Sequence, residues 1–420
     1  MEKTQHDGLY IALISLHGLI RGENPELGRD ADTGGQVQYV LDLSRALAEH
    51  PDVARVELMT RQILSTNVGY EYGEPLEQIA DRAWIVRLPF GPHRYLYKEN
   101  LWPYLPHFVD QALVHFRGVG RIPDVVHGHY SYAGEGASRI ARLLDLPVVF
   151  TGHSLGRVKE QRLLDKGLSA EVIEERYHIS RRIEAEEIAL DRADLVVTST
   201  VQEIDEQYAM YRTGARKRMA VIPPGVDLSR FRPPRRGERF EVASKIDRFL
   251  QKPKKPMVLA LQRPDERKNL ETLIQAFGES ETLRDLANLV LVIGTRDNVE
   301  SMPKAQRTVL QQMLHKIDRY DLYGSVAYPK EHASDDVPVL YRLAAARHGV
   351  FVNPALTEPF GLTLIEASAS GLPIVATNDG GPRDIISNCQ NGILVDPTSA
   401  DEIAKAIRDI IVDPDQWKKF

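Results

Sequence analysis

The residues with the most chemical content form one run near the carboxyl end, Asn353-Pro354-Ala355-Leu356-Thr357-Glu358-Pro359-Phe360-Gly361-Leu362-Thr363-Leu364-Ile365-Glu366-Ala367. An apolar strand delivers Glu358 into a turn, Gly361 opens a helix, and Glu366 follows about two turns later. Two carboxylates so placed suit hydrogen bonds to hydroxyls on different parts of one long ligand. Their separation, about 12 Å if the intervening residues were all helical, exceeds the roughly 5–9.5 Å between the carboxylates of glycoside hydrolases. Hydrolysis by a carboxylate pair is therefore disfavoured.

Other polar loops follow predicted strands. After Met257–Leu261 comes Gln262-Arg263-Pro264-Asp265-Glu266-Arg267-Lys268-Asn269. Here Arg263 and Lys268 flank a proline turn before a helix, where two cations and the helix dipole can clamp a diphosphate. The same charges would also suit a solvated turn. After Val148–Thr151 comes Gly152-His153-Ser154-Leu155-Gly156-Arg157-Val158-Lys159. His153 and Lys159 thus stand beyond a strand's carboxyl end, where open α/β sheets bind ligands. A capping Ser154 beside an incidental surface histidine is the plain alternative. Asp32-Thr33-Gly34-Gly35-Gln36 leads into a helix, and amides at such a glycine turn can approach an anion. The segment also suits a simple capped turn. It is not G-x-G-x-x-G, which weakens a nicotinamide-cofactor reading.

Arg181 and Arg182 lie on a predicted helix over Ala170–Arg192. At 100° per residue, Ile179, Ile183 and Leu190 make an apolar stripe; Arg182 stands about 60° from its edge and Arg181 nearly opposite. Arg182 is the better candidate for an inward role. The alternative is an exposed i,i+4 pair with Glu186, worth about 0.3–0.5 kcal/mol.

The elements that must position these residues alternate between short β-branched runs and helical periodicity, which is the pattern of βα units on parallel sheets. The fold class read from this is α/β. In the first half strands are predicted at Tyr10–Leu16, Val56–Thr60, Trp84–Leu88, Val125–His127, Val148–Thr151, Leu195–Thr198 and Ala220–Pro223, with a helix over Val37–Ala48. In the second half they fall at Met257–Leu261, Leu289–Ile293, Val326–Tyr328, Val350–Asn353, Ile374–Thr377 and Ile393–Val395. Between the halves, a proline-, glycine- and arginine-rich segment over 222–237 breaks all periodicity. The domains are therefore set at residues 1–224 and 225–420, joined by a linker that suits two lobes closing over a ligand.

Composition narrows the function. The 420 residues exceed one ordinary core of roughly 100 to 200 residues. Fifty-three basic against 59 acidic residues give a net charge of −6, so a nucleic-acid partner is not expected. The longest apolar run, Leu9 to Ile14, is far short of the about 20 residues of a membrane span. No secretion signal is visible, and a single cysteine, Cys389, suits a reducing compartment, so the expected location is cytoplasmic.

Taken together in their order, these segments resemble the retaining nucleotide-sugar glycosyltransferases of the GT-B fold, and within them the sucrose-forming branch. Further shared marks are Arg181-Arg182-Ile183-Glu184-Ala185-Glu186-Glu187, Ile222-Pro223-Pro224-Gly225 and Asp321-Leu322-Tyr323-Gly324-Ser325-Val326-Ala327-Tyr328-Pro329. The resemblance implies two Rossmann-like parallel-sheet domains facing each other across a cleft. It implies an N-terminal domain for fructose 6-phosphate and a C-terminal one for UDP-glucose, with ADP-glucose left open. Residue by residue, it assigns Arg263 and Lys268 to the diphosphate, Glu366 to the ribose, and Glu358 with the amides of Phe360, Gly361 and Leu362 to the glucose. His153 would touch the sugar near the reacting carbon. Gly34, Gly35 and Gln36 would line the reaction centre. Lys98, Lys159 and an arginine of the Arg181-Arg182 pair would hold the acceptor; Lys98 stands in the family-like stretch Tyr97-Lys98-Glu99-Asn100-Leu101-Trp102-Pro103.

The implied reaction transfers glucose with retention by a front-face route and requires neither metal nor cofactor. Relatives continue past the position of Phe420 with a further helix, and some with a phosphatase-like domain, so the resemblance implies a short form. The competing readings are a sucrose synthase-like enzyme, another retaining transferase, and a sugar-nucleotide sensor that binds without turnover.

Overall fold

The computed structural model describes residues 8–420 apart from 27, 31, 295, 297 and 301. The chain divides into two compact units between Pro223 and Pro224. The sequence set the boundary one residue later.

Among the described residues, the first unit holds strands β1 (Leu9–Ile14), β2 (Val53–Arg61), β3 (Leu76–Ala80), β4 (Ala83–Leu88), β5 (Val125–His129), β6 (Val148–Thr151), β7 (Leu195–Thr198) and β8 (Met219–Val221). They form one sheet in the order β3-β4-β2-β1-β5-β6-β7-β8. All neighbours are parallel except β3, which pairs antiparallel with β4. The second unit holds β9 (Met257–Leu261), β10 (Asn288–Val292), β11 (Val326–Ala327), β12 (Val350–Asn353), β13 (Ile374–Thr377) and β14 (Gly392–Val395). Its sheet runs β11-β10-β9-β12-β13-β14, all parallel. Leaving β3 aside, both sheets share one plan. Each grows outward from its first strand and then resumes on that strand's other side.

Each sheet is covered on both faces, which explains the near-continuous apolar runs of its strands. Along β1, Tyr10, Ala12 and Ile14 enter one core while Ile11 and Leu13 enter another. Along β9, Val258 and Ala260 face one way, Met257 and Leu259 the other. Burying each large aliphatic side chain contributes about 1.5–3 kcal/mol. Gly134, on the helix Ser131–Leu144, permits close packing: a Cβ there would lie 2.5 Å from the Phe150 ring on β6 and 2.8 Å from Ala189. Among the described residues no helix is long and apolar enough to cross a membrane.

The structure corrects two sequence expectations. The single helix over Ala170–Arg192 is two, Ala170–Tyr177 and Ile179–Arg192, because His178 turns left-handed (φ 46°, ψ 48°) between them. The Glu174 carboxylate stabilises the break by accepting from the backbone N–H (2.9 Å) and hydroxyl (2.7 Å) of Ser180. Strand β3 was not anticipated. It carries little β-branched character and is held by antiparallel pairing to β4 at the sheet edge.

Candidate functional site

In an open parallel sheet the ligand crevice opens where strand order reverses, outside the carboxyl ends of the two strands that flank the reversal. In the first unit those strands are β1 and β5. Beyond β1 comes His17, and beyond β5 come Tyr130 and Tyr132. Tyr130 adopts φ 79°, ψ 166°, a region that costs a non-glycine residue on the order of 1–3 kcal/mol and recurs at functional sites. Close by, a small open pocket is lined by Lys98, Glu99, Trp102, Tyr130, Tyr132, Lys159, Tyr177 and Arg182. Three of the sequence-nominated cations therefore share one wall.

Each of these cations is held. The backbone N–H of Lys98 donates to Asp32 Oδ2 (2.8 Å), and its ammonium bonds the other oxygen of that buried carboxylate. Lys159, on the helix Gly156–Asp165, sits 3.8 Å from the Tyr177 ring centre and 3.8 Å from Glu99 Oε1. Burial, and then the nearby Arg182, lower its pKa to about 8. Arg182, only 4% exposed, lies with its guanidinium 4.5 Å from the Tyr130 ring centre. Its Nε donates to Glu186 (3.0 Å) and its Nη2 to the Ser154 hydroxyl (2.9 Å) and carbonyl (2.5 Å). Glu186 is itself fully buried, accepting also from the Gly156 N–H (2.8 Å) and the Tyr211 hydroxyl. The i,i+4 pair and the inward arginine are thus one arrangement, formed in the interior instead of on an exposed face.

Arg181, 32% exposed, points elsewhere. It makes a two-oxygen contact with buried Glu135 (2.8 and 2.6 Å), reaches Glu184 (3.2 Å) and covers the Trp102 ring at 4.9 Å. The glycine loop is tied to the end of β1. Thr33 Oγ1 accepts from the Leu19 N–H (3.1 Å), and the Asp30 carboxylate accepts from the N–H groups of Asp32 and Thr33. Gly34 then precedes the helix Gly35–Glu49, and Gln36 donates to Ser15 Oγ at 3.2 Å.

Sequence reasoning nominated His153 but missed the company it keeps. His17, His127, His129 and His153 gather at the ends of β1, β5 and β6. His129 Nδ1 lies 3.0 Å from His153 Nε2, His127 Nε2 lies 2.8 Å from Thr151 Oγ1, and His17 Nδ1 bonds the Tyr132 hydroxyl. The rings of His127 and His129 are 4.0 Å apart, and Tyr39 packs edgewise on both His129 and His153. Burial, reinforced by neighbouring cations or imidazoles at His17 and His153, lowers the pKa of His17, His127 and His153 to about 3. All three are neutral at pH 7. His127-Gly128-His129 at the end of a predicted strand was the available signal.

In the second unit the reversal lies between β9 and β12. Lys268 ends the short turn Glu266–Lys268. Asn269 (φ 53°) then starts the helix Leu270–Glu279. Lys268 Nζ lies 2.6 Å from Glu358 Oε2, to which Asn353 Nδ2 also donates at 2.9 Å. Burial would raise the pKa of Glu358, 7% exposed, but Lys268 and Asn353 outweigh it and hold the carboxyl below its ordinary range. The Glu358 backbone bridges to Gly380, whose left-handed φ of 97° and missing Cβ allow the approach; a Cβ there would lie 2.2 Å from the Glu358 carbonyl oxygen. Phe360 and Leu362 are half-buried beside Gly361 (φ 75°), the residue preceding the helix Leu362–Ala369. On that helix Glu366 accepts from the buried Tyr341 hydroxyl (3.0 Å). Arg263 is half-buried, and its guanidinium makes no hydrogen bond or ion pair among the described residues.

Residues 8–221 match the family described as the sucrose synthase first GT-B domain, and residues 243–420 match glycosyl transferases group 1. The chain belongs to this GT-B family. It is 47% identical over 474 aligned residues to sucrose-phosphate synthase of Spinacia oleracea, an alignment covering 98% of this chain and 45% of the relative. The chain thus spans about half the length of the curated relatives it matches. Among solved structures, a sucrose-phosphate synthase of Thermosynechococcus elongatus superposes with a TM-score of 0.73 at 26% identity, covering 98% of this chain and 92% of that one. The Anabaena protein HepE in complex with UDP-glucose shares the fold at a TM-score of 0.64 and 16% identity, with 98% and 92% covered. The comparisons and the two parallel-sheet units agree on the GT-B fold class.

Two outcomes are expected from this packing. Arg182→Ala strands the buried Glu186 carboxylate and should cost about 3–5 kcal/mol of stability. Arg181→Ala leaves Glu135 paired with Arg139 (2.6 Å) and should cost clearly less; urea unfolding of both variants checks the ranking. The histidines give the second. Their folded pKa of about 3 lies below the ordinary 6.5, so the unfolded chain binds more protons between these values. Stability is fully present above pH 6.5 and falls as pH drops toward 3. Each such group contributes up to about 1.4 kcal/mol per pH unit. Urea midpoints between pH 6.5 and 5, above the ordinary carboxylate range, should fall with acid, and His127→Gln should flatten the slope; a level profile would contradict the buried cluster.

Proposed function

We propose that the chain transfers glucose from UDP-glucose to the 2-hydroxyl of fructose 6-phosphate with retention at the anomeric carbon. This is the reaction of a sucrose-phosphate synthase, giving sucrose 6-phosphate and UDP. The observation that carries the reading is the convergence of Lys98, Lys159 and Arg182 on one aromatic-walled pocket in the first unit. Three cations with stacking faces suit a phosphorylated sugar, and Lys159, whose pKa burial and then the nearby Arg182 lower to about 8, would be favoured in its charged form by an added anion. Plain fructose would bring no phosphate to these cations, leaving them with only the carboxylates that already hold them.

The second unit would hold the donor. Arg263 and Lys268 take the diphosphate, Glu366 the ribose, and Glu358 with the amides of Gly361 and Leu362 the glucose. Gly34, Gly35, Gln36 and His153 serve the reacting sugars. In the front-face route the bond from C1 to the diphosphate oxygen breaks as the acceptor oxygen bonds C1 on the same face. The departing diphosphate takes the acceptor's proton, and Arg263 and Lys268 offset its growing charge. The reading needs no metal or cofactor, allows ADP-glucose as a second donor, and places the protein in the cytoplasm, in keeping with its single, exposed Cys389.

Release of UDP from UDP-glucose should require fructose 6-phosphate, with kcat/KM at least about 100-fold above that for fructose, since two charge-assisted contacts are each worth about 1.5–3 kcal/mol. Lys98→Ala should erode that ratio more than it lowers activity on fructose. Equal use of fructose by the parent would indicate a sucrose synthase-like enzyme, and UDP binding without turnover a sensor. Steady-state kinetics on both acceptors and both nucleotide donors decides among these.

Arg263→Ala and Lys268→Ala should each lower kcat by about 100- to 1000-fold with smaller effects on acceptor KM. Arg263→Ala is the cleaner test, because its guanidinium makes no hydrogen bond or ion pair among the described residues whereas Lys268 also neutralises buried Glu358. Near-normal kcat in Arg263→Ala would sink the diphosphate assignment.

A further inference from the structure

We infer that Glu99 is a resident counter-anion of the first unit's basic pocket. Its carboxylate faces the two lysines that a sugar phosphate would use, gives up that place when the phosphate arrives, and so sets how strongly the pocket selects a phosphorylated sugar. The inference rests on the proposed binding of fructose 6-phosphate there, and it names a residue that tunes that binding.

The charges on the pocket wall cancel. Lys98, Lys159 and Arg182 are met by Asp32, Glu99 and Glu186. The carboxylates are not held alike. Asp32 and Glu186 have side chains 1% and 0% exposed. Asp32 accepts from the Lys98 N–H at 2.8 Å and bonds its ammonium. Glu186 accepts from the Gly156 N–H at 2.8 Å, from Arg182 Nε at 3.0 Å and from the Tyr211 hydroxyl. Displacing either would leave buried charge unpaired, so both are fixed parts of the wall. Glu99 differs. A quarter of its side chain is exposed (25%), and its Oε1 lies 3.8 Å from Lys159 Nζ and 4.0 Å from Lys98 Nζ. Both distances exceed hydrogen-bond reach, so charge alone holds it.

This loose hold has a cause in the neighbours. The Lys98 ammonium is committed to Asp32, and that of Lys159 sits 3.8 Å from the Tyr177 ring centre. Glu99 lies in the short turn Lys98–Asn100, which is pinned by the Lys98 N–H on Asp32 and followed by buried Leu101. Its side chain can therefore swing outward while its backbone stays. A sugar phosphate carries about 1.5–2 negative charges at pH 7 on three acceptor oxygens, which a single carboxylate cannot match at the same two ammoniums. With Glu99 in place, that phosphate would meet a like charge. The pocket is competent for phosphate only with Glu99 turned away, and its apparent affinity falls in proportion to the fraction of molecules in that form. An unphosphorylated sugar brings nothing that displaces the carboxylate.

The test is calorimetric titration of fructose 6-phosphate and of fructose into the parent and Glu99→Gln, which keeps the size of the side chain and removes its charge. The Kd for fructose 6-phosphate should fall about tenfold in Glu99→Gln, corresponding to an open form populated at about 10% in the parent. The preference over fructose should rise by a similar factor. A crystal structure of the parent with fructose 6-phosphate should show Lys98 and Lys159 donating to phosphate oxygens, with Glu99 no longer within about 4 Å of either ammonium. Unchanged or weaker binding of fructose 6-phosphate in Glu99→Gln overturns the inference, as does a Glu99 that still faces both lysines beside bound phosphate. Weaker binding of both sugars would assign Glu99 to a sugar hydroxyl and overturns it too. Equal binding of both sugars by the parent would remove the phosphate pocket and the inference together. Selective binding of fructose 6-phosphate without transfer to any acceptor would remove the proposed reaction and leave the role of Glu99 standing.

Discussion

Parallel strands are joined through right-handed crossovers, and that handedness governs where this molecule can bind anything. In each sheet the chain first builds outward from one side of its opening strand, then returns to that strand's other side. The helices that follow the two flanking strands therefore pack on opposite faces, and the loops at their carboxyl ends part to leave a crevice. His17 and Tyr130 flank it in the first unit, Arg263 and Glu358 in the second. These loops share no motif with one another. Topology alone carries their polar residues to corresponding addresses.

The cost of this address is charge in poorly hydrated surroundings, and the two units meet it differently. The second uses a compact pairing: Lys268 and Asn353 both engage one oxygen of Glu358, so the carboxylate stays ionised despite burial. The first distributes the burden. Its imidazoles are kept neutral by desolvation, while Lys98 and Arg182 are each matched to a buried carboxylate, Asp32 and Glu186. A buried ion pair adds little stability over a well-packed apolar pair, so stability alone does not account for Arg182 and Glu186. A guanidinium held over the Tyr130 ring at a pocket wall does, because its position is then set before any ligand arrives.

Much of the fold was legible because strands covered on both faces print themselves as apolar runs: Val148–Thr151, Met257–Leu261 and Val350–Asn353 were read with the bounds the structure has. What escaped depended on contacts distant in sequence. β3 owes its existence to β4 more than to its own residues, and the break at His178 interrupts a helical wheel whose apolar spacing continues across it. The site divides in the same way. Loops beyond strand ends advertised His153, Arg263, Lys268 and Glu358, but their partners did not. Lys98 and Asp32 are 66 residues apart, and Lys268 and Glu358 are 90. A motif shows where a charge will be delivered, whereas the residue that meets it is set by the sheet.

The adjacent arginines show how far local geometry can carry such a reading. One step of 100° on the helix Ile179–Arg192 sends the two guanidiniums to different acids, Arg181 to Glu135 and Arg182 to Glu186. Each also lies over an aromatic ring of the same pocket, Arg181 over Trp102 and Arg182 over Tyr130. The wheel separated an inner from an outer arginine; it could not show that the outer one braces the wall against which the inner one works. Since Glu135 lies on the helix that follows β5, Arg181 ties that helix to the one bearing Arg182. The strained Tyr130, at the start of the first helix, is thereby held between the two. The strain at Tyr130 and the pairing of both arginines are parts of one brace, which sets the pocket's shape before its chemistry.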